Sequence, residues 1–409
     1  MTRLVAFSAA STALACALAC AFGAHGGELF LLGLVPYSYA WQPSADGRVV
    51  AGYDGASAWY WTRETWVVRL EQSLPPGNGV GGHPNISADG RFITCSTLQG
   101  KPLKAEATIY DRELNTYDPA VGSLGFNCDI ERCGPWGYTP SGSHVCGLIW
   151  NESCKAYGFV WDSATDTIRL LPSSYIYKPT RANGISVDGA FVGGWNDDYV
   201  GWRQGCVWRR NEQGDYVGTL LHTGVPTVKL REVGCVSGNG QWAFGRGRDG
   251  IDGGVPYRWS YATGYQPIVD GVGSVYASNF DGSLLLMGGG VWIAGRGYIP
   301  LRDWSSENGF ALTTDWSFQP FGMTEDGLTI TGYAIRGTDS AWSPFVLDLH
   351  ATAKPCPEDI TGDGEVSSPD IAALLSAWGS LGGSADLNRD GTVASQDIAV
   401  LLSAWGACP

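Results

Sequence analysis

Oxygen-bearing side chains recur at fixed steps near the C-terminus. Asp359, Thr361, Asp363 and Asp370 stand at positions 1, 3, 5 and 12 of one twelve-residue stretch, and Asp386, Asn388, Asp390 and Asp397 repeat the pattern 27 residues later. Glu365 and Thr392 hold position 7, whose backbone carbonyl joins such a set, while Gly364 and Gly391 at position 6 permit the turn that gathers the donors. All-oxygen ligation suits calcium, and two ions are expected. Each stretch runs into apolar residues spaced i, i+3, i+4 and i+7: Ile371, Leu374, Leu375 and Trp378, then Ile398, Leu401, Leu402 and Trp405. That spacing predicts two helices, stopped by Gly379 and Gly406, burying their stripes against each other. Val366 and Val393, at position 8, are expected to pair across the loops. Lys354-Pro-Cys-Pro357 and Gly382-Gly383 would not support a helix entering either loop.

This duplicated loop-helix unit resembles a type I dockerin, the module that plugs secreted enzymes into cohesin-bearing scaffolds. The resemblance covers about the last 55 residues and rests on two complete loops, each followed by Leu-Leu-Ser-Ala-Trp-Gly. It implies a cohesin-like or cell-surface partner and a place in extracellular polysaccharide breakdown. Positions that meet the partner in that family hold Ser368-Pro369 with Ser376-Ala377, and Ser395-Gln396 with Ser403-Ala404. A unit this small buries little apolar surface, so a staple is expected between the bracketing Cys356 and Cys408. Such a bridge contributes about 4 kcal/mol in the chain-entropy description.

Upstream, 58 glycines, 18 tryptophans and only 16% charged residues favour short strands and tight turns over long helices. A net charge of −14 without a basic stripe argues against nucleic acid. Arg3, the apolar run Leu4–Ala21 and the small residues Ala19-Cys-Ala21 read as a secretory signal over residues 1–24, so an extracellular or cell-surface bacterial location is expected. No later stretch is apolar enough to span a membrane as a helix. Seven cysteines fall between the signal and the C-terminal pair, so one at least stays unpaired within the chain.

Residues 28–350 carry a second repeat: Ser44-Ala-Asp-Gly47, Ser87-Ala-Asp-Gly90, Pro140-Ser-Gly142, Ser186-Val-Asp-Gly189, Ser237-Gly-Asn-Gly240, Asn279-Phe-Asp-Gly282 and Thr324-Glu-Asp-Gly327. The glycines lie 42 to 52 residues apart, and five residues on another glycine follows in five copies (Gly52, Gly147, Gly194, Gly245, Gly332). An aromatic-rich strand then ends in Trp61, Tyr110, Trp161, Trp208, Trp259, Trp292 or Leu347. Four short strands per repeat cannot cover both faces of their own sheet, whereas radial stacking can. The expected fold is mainly β: a seven-bladed β-propeller over residues 28–350, closed by Leu29–Tyr37 joining the last blade. A linker follows at 351–355, then a small all-α calcium domain at 356–409. The repeat signature also resembles the HAF-type repeats of bacterial extracellular proteins, a resemblance that implies no defined activity. A shortened sixth blade beside a lengthened third is expected to leave a notch for ligands.

No nucleophile elbow, phosphate loop or zinc-helix motif is present. Trp195, Asp197, Asp198, Tyr199 and Trp202 form the most suggestive cluster, because aromatic faces stack on sugar rings and paired acids hydrolyse glycosidic bonds. The same residues also suit an ordinary solvated hairpin tip. Two functions are therefore carried forward: a docked binding protein for a polysaccharide or protein, and a glycoside hydrolase or polysaccharide lyase acting in the propeller mouth.

Overall fold

Each repeat turns on one local device. A side-chain oxygen three residues before the marker glycine accepts the backbone N–H five residues further on, at 2.9–3.0 Å in all seven copies, from Ser44 with Val49 to Thr324 with Thr329. In the third copy that residue is Thr139, one place earlier than the expected Pro140. All seven marker glycines sit at φ between +67° and +77°, where a Cβ would be strained. Ala45, Ala88 and Val187 then donate to carbonyls of the next repeat, tying neighbouring turns together.

The computed structural model describes residues 27–33, 35–74, 82–99, 104–119, 133–150, 153, 155–225, 228–248, 251–350, 357–361, 365–388 and 390–407. Between Glu28 and Asp348 it is a seven-bladed β-propeller, as expected. Blades one, three, four, five and six are four-stranded in sequence order. Blade two has three strands and an inner edge reduced to a bridge between Ile86 and Ile93. Blade seven takes Glu28–Leu31 as its outer strand, pairing Glu28 with Asp348 and Leu31 with Phe345, so the N-terminal strand closes the ring. Arg63 reinforces the closure by bonding both Glu28 and Asp348.

One apolar cluster fills each of the seven junctions between blades, and each holds one of the third-strand residues named above. Trp61, Tyr110, Trp161, Trp208, Trp259, Trp292 and Leu347 are all buried. Burying rings of this size supplies much of the driving force for the radial assembly. A helix that the sequence pattern did not announce, Leu301–Glu307, follows blade six and buries Leu301 in the junction with blade seven. It packs on the short blade.

In the C-terminal domain the helices are Ser368–Ser376 and Ser395–Ser403. Leu374, Leu401, Val366 and Val393 form its core. The stripes are only partly buried: Leu375, Trp378, Leu402 and Trp405 remain about half exposed, because nine-residue helices cross with one row each. Nor do the two valines pair with each other. Val366 pairs with Gly406, while Val393 exchanges backbone bonds with Gly379 and Ser380, so each loop is tied to the segment after the other helix.

Candidate functional site

The glycine five places after each marker explains how the channel is built. At Gly194 an added Cβ would lie 1.9 Å from the Arg181 carbonyl, at Gly147 2.1 Å from that of Gly134, and at Gly332 2.1 Å from that of Gln319. These carbonyls crowd in because the inner strand carries a β-bulge opposite the glycine. A bulge leaves one residue unpaired and re-aims it. Six blades leave Trp41, Trp136, Asn183, Gly234, Tyr276 and Phe321 out of the ladder, each six residues before its marker glycine. All six line a central cavity of about 990 Å³.

Its wall is aromatic on one side. His83 stacks on Trp41 with centroids 4.0 Å apart and meets Trp136 edge-on at 4.4 Å. The Arg181 guanidinium lies 3.8 Å over Trp136 and 5.3 Å from Trp195, which faces Arg203 at 4.8 Å. Trp41 also meets Phe321 at 4.9 Å, and Tyr276 meets Phe321 at 5.0 Å. Behind them Tyr333 and Trp342 stack at 4.0 Å, welding blade seven to Tyr39 of blade one. Such faces match the apolar faces of sugar rings.

Arginines stand among these aromatic rings. Arg181 donates from Nε to Asn183 at 2.8 Å and from Nη2 to Glu232 at 3.2 Å, and Asn183 is held by the Val233 carbonyl at 2.7 Å. Burial lowers the pKa of Arg181 to about 10, against the pull of Glu232. Burial also lowers His83, to about 3, with Arg181 adding to the effect, so that imidazole is neutral throughout the physiological range. Arg231 and Arg246 line the cavity with exposed side chains. Among the described lining residues Glu232 is the sole carboxylate.

Of the acids and aromatics expected to bind sugar, none is among the described lining residues, and Trp195 and Trp202 adjoin the cavity only through its arginines. Trp195 backs Arg181, and Trp202 lies 5.8 Å from Arg231. Asp198 is committed to its own hairpin: it takes Lys229 at 2.6 Å and the N–H groups of Val200 and Trp202 at 2.9 Å. Burial raises the pKa of Asp197 despite Arg203 and Lys178 nearby. Tyr199 stands exposed at the tip, edge-on to Tyr175. Missed altogether were Trp41, His83, Trp136, Arg181, Tyr276 and Phe321.

The channel face that carries the blade-to-blade connections also carries Tyr37, Ile176, Tyr177, Tyr199, Val200 and Val269, which are 66–87% exposed. The opposite face carries the marker turns.

The calcium loops are compact where described. Asp370 accepts the N–H groups of Thr361 and Ser367 at 2.8 and 2.9 Å, and Asp397 accepts those of Asn388 and Ala394 at 3.0 and 2.7 Å. Position 12 thus clamps each loop to its helix start. Asp386 accepts Gly391 N–H at 3.0 Å, and Asp390 accepts Thr392 N–H at 3.0 Å. Asp359, Asp370, Asp386 and Asp397 are buried. Hydrogen bonds from Thr361 and Ser367 outweigh burial in holding the pKa of Asp370 low, while the Asp359 charge works against it. Sinking like charges together is costly unless a cation joins them, and the all-oxygen donors fit one. Among the described residues no three His, Cys, Asp or Glu side chains are grouped as a metal site. Asp363 lies outside the described residues, as do Cys356, Cys408 and the signal segment.

Cys95, Cys146, Cys206 and Cys235 are free thiols, and burial raises the pKa of Cys95 to about 12. They are inert packing residues. No helix among the described residues is long and apolar enough to cross a membrane.

Comparison with known proteins adds the following. A family model of the dockerin type I domain matches residues 357–404. No curated protein matches the chain. Similar solved structures include TolB from Acinetobacter baumannii, at 12% identity and TM-score 0.40, over 79% of this chain. This chain spans 63% of that protein's length. An oligogalacturonate lyase from Vibrio parahaemolyticus is similar at 15% identity and TM-score 0.49, covering 80% of this chain and 98% of that one. The β-propeller domain of the Trilobed protease from Pyrococcus furiosus is similar at 11% identity and TM-score 0.46, covering 76% and 96%. The chain is thus a dockerin-bearing propeller protein; dockerin domains bind calcium and cohesins and occur in extracellular bacterial proteins.

Proposed function

We propose that the propeller is a saccharide-binding module that its dockerin domain anchors to a cohesin-bearing scaffold outside the cell, in the service of polysaccharide breakdown. The cavity walled by Trp41, Trp136, Tyr276 and Phe321 carries this reading, because its about 990 Å³ accommodates a short oligosaccharide and its ring faces supply stacking platforms. Binding is favoured over hydrolysis, since a glycosidase places two carboxylates across the scissile bond and Glu232 stands alone among the described lining residues. Two calcium ions, one per loop, would hold the dockerin helices in place, with Asp359, Thr361, Asp363, Glu365 and Asp370 serving the first and Asp386, Asn388, Asp390, Thr392 and Asp397 the second. The half-exposed Leu375, Trp378, Leu402 and Trp405 offer an apolar face for a cohesin.

The test is calorimetric titration of the calcium-loaded full chain with an oligosaccharide panel, alongside Trp136→Ala. A binder is expected, weakened at least about tenfold, or roughly 1.4 kcal/mol, by the substitution. Binding that survives in Trp136→Ala would place the site elsewhere.

A further inference from the structure

We infer that the marker-turn face of the propeller is a docking surface for this chain's own second calcium loop, seated on Val187 of blade four and Phe280 of blade six, so that calcium in that loop and packing of the two domains strengthen each other. The calcium half rests on the loop assignment above; neither half needs the channel to bind sugar.

The residue just after the capping oxygen is, blade by blade, Ala45, Ala88, Pro140, Val187, Gly238, Phe280 and Glu325. Val187 and Phe280 are the two largest apolar members of that row. Neither belongs to a junction core, yet both are partly buried rather than exposed. Gly238 lies between them: a Cβ there would stand 2.8 Å from Phe280 Cδ2 and 3.3 Å from Val187 Cγ2, so the bare backbone of blade five lets the two side chains meet above it. Val187 N–H donates to the Gly238 carbonyl at 2.9 Å and Asn239 N–H to that of Phe280 at 2.8 Å, which ties the three turns into one fixed shelf.

The C-terminal domain meets this shelf with glycines. A Cβ on Gly382 would lie 2.9 Å from Phe280 Cδ2, and one on Gly391 would lie 2.5 Å from Val187 Cγ1, so the loop backbone rests directly on the two side chains. Gly382 N–H donates to the Gly391 carbonyl at 3.0 Å, and Gly391 N–H donates to Asp386 at 3.0 Å. The peptide seated on the propeller therefore also holds the donor at loop position 1. Linked equilibria are reciprocal: docking that fixes Gly391 presets Asp386 for calcium, and calcium that fixes Asp386 stiffens the backbone that docks.

The experiment compares the full chain with Val187→Ala plus Phe280→Ala. Blades one and two carry alanine at the same place, so both turns should fold and propeller melting should hold. By small-angle X-ray scattering in calcium the parent is expected as one compact particle and the double variant with a larger radius of gyration. By calorimetry the variant should still take two ions, one of them at least about fivefold more weakly than the parent does. Superimposable scattering curves would overturn the docking, and equal calcium affinities would overturn the coupling. Fewer than two ions in the parent would instead overturn the loop assignment. Benzoylphenylalanine at position 280 gives a second measurement in dilute calcium-loaded protein: irradiation should cross-link it to the peptide carrying Gly382 and Gly391, and cross-links confined to propeller peptides would count against the docking.

Discussion

Gly194→Ala is the sharpest probe of how the channel is made. A Cβ on residue 194 would stand 1.9 Å from the Arg181 carbonyl oxygen and 3.1 Å from the Ala182 Cα, all of it backbone of the bulged inner strand. Reaching ordinary van der Waals contact requires that strand to retreat by about 1.5 Å, an overpacking strain of about 1–3 kcal/mol. For a domain of this size the melting temperature should fall by about 1.5–4.5 °C. The same retreat displaces Arg181 and Asn183, so saccharide affinity should fall with stability. Gly55→Ala is the control, because nothing lies within 4 Å of its added Cβ; it reports the chain-entropy gain of any glycine replacement alone. Differential scanning calorimetry of the three proteins decides the matter. Equal melting for Gly194→Ala, Gly55→Ala and the parent chain would refute the idea that these repeating glycines exist to admit the bulge.

Other consequences follow from the ring closure and the metal loops. His350 bonds Asp348 at 2.9 Å and Asp326 at 3.0 Å beside the closing strand. Burial alone would lower its pKa, but the two carboxylates overcome this and raise it to about 9. A raised histidine contributes fully below its unfolded value of about 6.5 and loses that contribution as pH climbs through the folded value. The parent chain should therefore lose on the order of 1–2 kcal/mol of stability between about pH 7 and 9.5, and His350→Gln should show a flatter profile in the same thermal scans. Identical slopes would remove the carboxylate clamp from the account. Chelation should lower the melting of the C-terminal domain, by about 4 kcal/mol per ion if calcium had stood a thousandfold above its dissociation constant. Asp390→Ala, and equally Asp363→Ala, should reduce calorimetric calcium stoichiometry from two to one while the propeller melts unchanged. Undiminished stoichiometry in both variants would cancel the ligand assignment.

The repeat was legible because it is local. Ser44-Ala-Asp-Gly47 and its kin make the same turn from six consecutive residues, and the marker glycines recur every 42 to 52 residues, so blade count could be read from spacing alone. The channel wall was not legible in the same way, because Trp41, Trp136, Tyr276 and Phe321 come from four blades and meet only once the ring closes. A signal existed nonetheless: each stands six residues before a marker glycine. Trp195 was found through its acidic neighbours, yet it serves through Arg181, while Asp198 saturates its own turn. The loop pattern was readable because its expected donors lie close in sequence, whereas Leu375 and Trp378 were expected inside and are half exposed. Short helices cross once, so Leu374 and Leu401 are buried in the shared core with Ile371 and Ile398 packed against it.

The most direct measurement is crystallographic location of a bound oligosaccharide on the calcium-loaded full chain. Sugar rings are expected inside the central channel, stacked on Trp136 and Trp41. A ligand seated on the outer strands, with the channel holding only solvent, would contradict the assignment of the propeller's bulge residues as its binding wall.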